Sequence, residues 1–75
     1  MHIGMLWFDN GSTPLAVKII NAAEYYQRKY GMRPNFCAVH PDEASETQVN
    51  GVRVTASRQV LRGHLWIGVE DGGRG

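Results

Sequence analysis

The sequence predicts a small α/β (α+β) domain in two layers, one helix packed on a mixed sheet of about four strands, in the order β-α-β-β-β. Three observations predict it. Apolar residues recur at helical steps over one stretch only, Thr13 to Tyr30. Apolar runs of strand length, His2 to Phe8 and Asn35 to His40, flank that stretch. Two more strand patterns, Val52 to Ser57 and His64 to Glu70, follow a polar loop.

The first strand is apolar on both alternating sets: Ile3, Met5 and Trp7 on one, Gly4, Leu6 and Phe8 on the other. A strand with no polar side is expected to be covered on both faces. Asp9-Asn10-Gly11-Ser12 is turn chemistry leading into the helix. Along the helix, Leu15, Ala16, Ile19, Ala22, Ala23, Tyr26 and Tyr30 fall on one face at about 100° per residue. Asn21, Glu24 and Arg28 point to water, and Val17, Ile20 and Tyr25 lie off the core face. Thr13 is expected to cap, with Pro14 at the first helical position. Gly31 can end the helix in the left-handed conformation, and Pro34 keeps it from restarting. Arg28 and Lys29 complement the dipole in the last turn.

A second strand after this helix implies a βαβ unit with parallel strands. The stretch His40 to Gly51, polar and acidic, reads as a loop, and Asn50-Gly51 is a strong turn pair. The third strand alternates, Val52, Val54 and Ala56 against Arg53, Thr55 and Ser57, which gives it one wet face. Residues 58–63 allow a strand extension, a wide turn or a helical turn. The last strand sets Leu65, Ile67 and Val69 on one side and Trp66 on the other. Residues 1–70 form the expected domain and 71–75 a flexible tail.

Seventy-five residues allow one domain with a marginal core, because a chain this short buries only about 60–65% of its unfolded surface. Cys37 is the only cysteine, which rules out an internal disulfide and a zinc site built on several thiolates. A lone thiol in an apolar run suits a reducing compartment. The net charge is +1, with basic and acidic residues mixed along the chain. No apolar run approaches the roughly 20 residues that span a bilayer, and no leader pattern opens the sequence. A cytoplasmic protein without a membrane partner is expected.

One helix covers one face of a sheet, yet this sheet is apolar on both. An exposed apolar patch of about 300 Å² or more is unusual for a monomer. The sequence therefore predicts a homo-oligomer, most simply a two-fold dimer, self-associating through Leu6, Phe8 and Trp66. The competing expectation is that Val60, Leu61 and the long loop fold back over the second face.

The C-terminal ends of the parallel strands are the other candidate, since open α/β sheets usually bind ligands there. Asp9, Gly11, Ser12, Thr13 and His40 gather at that edge with a helix N-terminus, a combination suited to an anion. The phosphate signature GxxxxGK[ST] and the dinucleotide signature GxGxxG are both missing, so no cofactor is expected. The direction of the last strand decides what else arrives. Run one way, it brings Glu70 and Asp71 to Asp9 and His40; run the other way, it brings His64. Asp9, His40 and His64 together have donors for a divalent metal, but not as a local motif, and no metal is predicted. Nucleophilic catalysis has little support: there is no GxSxG elbow, and Cys37 sits mid-strand. The acidic pairs Asp42–Glu43 and Glu70–Asp71 read as solvated surface. Arg53, Arg58 and Arg62 in one segment are the nucleic-acid candidates, without an RNP, KH or helix-turn-helix pattern. The sequence thus points first to a non-catalytic binding or assembly module, next to nucleic-acid binding, and third to a metal- or anion-dependent edge at Asp9, His40 and His64 or Glu70.

Overall fold

A computed structural model of the chain describes residues 3–70. His2, Asp71 and the expected tail lie outside the described residues. The chain forms β1 (Ile3–Phe8), α1 (Leu15–Tyr30), β2 (Phe36–Val39), a 3-10 turn (Pro41–Glu43), β3 (Gln48–Val49), β4 (Val52–Ala56) and β5 (His64–Val69). One helix packs on one mixed sheet, as the patterning predicts, but the sheet has five strands rather than about four. The extra strand is β3, two residues inside the stretch expected to be loop. It pairs antiparallel with β4 across Asn50-Gly51, both at positive φ (50° and 82°). Positive φ at both central residues is what a two-residue hairpin with right-handed strand twist requires.

The sheet order is β1-β5-β2-β4-β3. β1 and β2 run in the same direction, as a strand-helix-strand unit implies, but they do not touch. β5 lies between them, antiparallel to both, and β2 pairs with β4 in parallel. Residues 57–63 resolve into consecutive turns, closed by Val60 N–H to Ser57 O (3.2 Å) and His64 N–H to Leu61 O (3.1 Å).

The helix begins one residue later than expected. Pro14 occupies the N-cap position and offers no side-chain cap. Its carbonyl accepts the N–H groups of Val17 and Lys18 at 3.0 and 3.1 Å. Thr13 therefore lies outside the cap. The C-terminus follows the sequence: Gly31 is left-handed (φ 76°) and donates to Gln27 O. Ile19, Ala22 and Tyr26 bury the helix face against Cys37, Val39, Val54, Leu65 and Ile67. Ile20, expected off the core face, packs against its margin, whereas Tyr30 is exposed and stacks its ring 4.6 Å from Tyr26.

Ile67 is fully buried at the centre of this layer. Ile67→Ala is expected to lower unfolding free energy by about 2–5 kcal/mol, read from the urea midpoint.

Candidate functional site

Two regions carry the sequence-derived candidates: the sheet face opposite the helix, and the sheet end where β1 and β2 finish. On the open face the β1–β5 register sets Leu6 opposite Trp66 and Phe8 opposite His64. Leu6 is 59% exposed, Phe8 64% and Trp66 38%. The three predicted self-association residues thus share one uncovered face. Phe8 packs its ring 4.9 Å from that of His64. The Trp66 indole lies over Gly4, so close that a Cβ there would sit 2.3 Å from Cζ2. A glycine inside a strand pattern is a usable sign of such close approach.

The alternative cover from residues 57–63 is partial. Val60 is buried, but Leu61 beside it is 69% exposed. What remains is a groove of about 550 Å³, lined by Leu6, Phe36, Ala38, Val60, Leu61, His64 and Trp66 with a polar margin at Thr55, Ser57 and Gln59. Val60 stands where the fold-back expectation put it, whereas Phe36 as a groove wall was not legible locally, because its placement depends on strand order.

β5 runs antiparallel to β1 and β2, so His64 joins Asp9 and His40 at one sheet end while Glu70 lies at the other. Asp9, His40, His64 and Glu43 each have a structural task at the first end. The Asp9 carboxylate accepts Gly11 N–H at 3.0 Å within its own turn. His40 Nδ1 accepts Asp42 N–H at 3.0 Å and caps the 3-10 turn. His64 Nδ1 lies 3.0 Å from Arg62 O. A carbonyl only accepts, so this nitrogen carries the proton. The neutral rings of His40 and His64 are therefore opposite tautomers. The Glu43 carboxylate takes Gly63 N–H on both oxygens at 3.0 and 3.2 Å, and Asp9 N–H donates to Gly63 O at 2.8 Å. This edge is a junction that ties three loops together.

A groove of about 250 Å³ beside it is lined by Asp9, Asp42, Glu43, Lys18 and Ser45. Three carboxylates against one ammonium disfavour an anion there. Ser12 and Thr13 are exposed and line none of it. Among the described residues, no three His, Cys, Asp or Glu side chains are grouped to hold a metal ion. Of the acidic residues expected as solvated surface, Asp42 is ion-paired to Arg62 and Glu70 to Arg53, both at the surface. No local spacing signals these contacts, which join residues 20 and 17 positions apart.

The same ion pairs divide the arginine segment. Arg53 sits with Glu70 and Asn35 at one end of the sheet, and Arg62 with Asp42 at the other. Arg58 is exposed, with no ion-pair partner among the described residues. The three do not form one strip.

No protein-family model, curated protein or solved structure matches this chain.

Hydrogen bonding and charge from Arg62 hold the Asp42 carboxyl below its ordinary range. In Arg62→Ala, the Asp42 titration followed by NMR is expected to move up in pH. A depressed carboxyl stabilises the fold above its unfolded titration point and loses that contribution as pH falls through the folded one. The variant should therefore show a weaker acid dependence of stability. Burial pushes the Cys37 thiol up to about 12. At pH 8, alkylation of the native chain is expected to be slow and to become rapid in denaturing urea.

Proposed function

We propose that this protein is a non-catalytic assembly module that works as a homo-oligomer, most simply a dimer, through the sheet face opposite its helix. One observation carries the reading. Leu6, Phe8 and Trp66, joined by Leu61, stand exposed on a single face that residues 57–63 cover only in part. Burying these side chains between two copies would remove apolar surface from water, and the dimer population would depend on protein concentration.

The polar edge offers less support for chemistry, because Asp9, His40, Glu43 and His64 are each bound within the fold. Nucleic-acid binding is likewise less supported, since Arg53 and Arg62 are neutralised at opposite ends. A reducing compartment such as the cytoplasm suits the buried free thiol of Cys37. Among the described residues, no helix is long and apolar enough to cross a membrane.

Trp66→Glu is expected to reduce the mass measured by light scattering from dimer to monomer. Trp66 also packs on Gly4, so Phe8→Glu, at a more exposed position, provides the same readout without disturbing that contact. An unchanged mass in both variants, or a monomeric parent chain across the micromolar to millimolar range, overturns the reading.

A further inference from the structure

The outer edge of β1 has a property that its exposed side chains alone do not reveal. Asp9 N–H donates to Gly63 O, whereas His64 N–H donates to Leu61 O rather than across to Phe8. In an antiparallel ladder, bonded and non-bonded pairs alternate. The pairs Phe8/His64, Leu6/Trp66 and Gly4/Gly68 are therefore of the non-bonded kind. The backbone N–H and C=O groups of Gly4, Leu6 and Phe8 turn away from β5, toward an edge that no described strand pairs with. The same residues belong to the open face.

Native edge strands are usually protected by charge, proline, a bulge or brevity. β1 has six residues, IGMLWF, with no charge and no proline. The opposite edge of the sheet is β3, only two residues long. The unprotected edge is also self-complementary. Three outward-bonding residues at positions 4, 6 and 8 pair completely with a second copy in one antiparallel register, with Leu6 facing the partner's Leu6 on the two-fold axis. Gly4 then faces the partner's Phe8, and the reverse. The exposed Trp66 indole over Gly4 meets the partner's Phe8 ring there, a large side chain arriving where the strand itself offers none. Shifting the register by two residues loses one of the three pairs.

We propose that two copies of this chain join by antiparallel pairing of β1 with β1, centred on Leu6, into one continuous ten-stranded sheet. It rests on the reading that this chain self-associates and goes beyond it, placing the contact at the strand edge, with the open faces of both copies on one side of the joined sheet. The occupant is a second copy rather than a foreign strand because the glycine–phenylalanine complement lies within β1 itself.

Cysteine cross-linking separates this geometry from stacking of the two faces. Residues directly opposite in a bonded antiparallel pair have Cα atoms about 5.5 Å apart, within disulfide reach. Two copies of Phe8 would lie about 14 Å apart along the strands, out of reach. Leu6→Cys and Phe8→Cys both replace exposed side chains, and the native Cys37 is fully buried, so each variant has one accessible thiol. At a concentration where light scattering shows the parent dimer, oxidation in glutathione buffer is expected to shift most Leu6→Cys chain to twice its mass on a non-reducing gel. Phe8→Cys should stay at single mass. If Phe8→Cys links as fully as Leu6→Cys, or Leu6→Cys does not link, the edge pairing is overturned while face-to-face association stands. A monomeric parent chain overturns both.

Discussion

β5 holds this sheet together. It bonds to β1 along one side and to β2 along the other, antiparallel to each, and it places Leu65 and Ile67 at the middle of the buried layer. Without it, β1 and β2 would be two separate strands joined only by the helix. The insertion has a geometric consequence. β1 is pushed to the outside of the sheet although its sequence is that of an interior strand, apolar on both sides. The helix can shield only one of those sides, so Met5 and Trp7 pack under it while Leu6 and Phe8 do not. The exposed face and the unprotected edge have one common cause, the position of β5.

That cause explains what was legible beforehand. The helix was readable almost to the residue because its signals are local: spacing of apolar residues, Pro14 at the start, Gly31 at the end. The cap was misplaced at Thr13 because threonine and proline both favour helix starts, and the proline took the N-cap position itself; Ile20 and Tyr30, at the margins of the apolar stripe, exchanged their expected sides. β3 was not readable, since two residues with one apolar side chain, Val49, are too short to show alternation. Strand order was unreadable for a deeper reason. Parallel direction of β1 and β2 follows from their connection, but adjacency does not, and the pattern of β5 is the same whether it pairs at the margin or in the middle.

The candidate sites divided along the same line. Periodicity puts Leu6 with Phe8 on one side of β1 and Trp66 opposite the Leu65–Ile67–Val69 row of β5, and the β1–β5 register joins the three on one face. The polar residues depended on long-range contacts. Asp9, His40 and His64 do gather at one end, since β5 runs antiparallel, but one polar atom of each is engaged by a neighbouring backbone group. The arginine segment is close in sequence yet divided in space, because β4 carries Arg53 to the start of β2 while Arg62 lies past the far end.

The junction of loops at the polar end also bears on the exposed face. Glu43 grips Gly63 N–H, Asp9 N–H grips Gly63 O, and Gly63 itself is left-handed (φ 79°) with Asn10 against the position a Cβ would occupy. Four loop residues therefore meet where β1 ends and β5 begins. They hold the two strands in register at the end carrying Phe8 and His64. A side chain exposed on a sheet edge is costly to order if the edge frays. Here the edge is held at its C-terminal end by polar contacts and near its N-terminal end by the Trp66 indole over Gly4. The polar junction thus sets the geometry of the apolar surface at the strand end that carries Phe8.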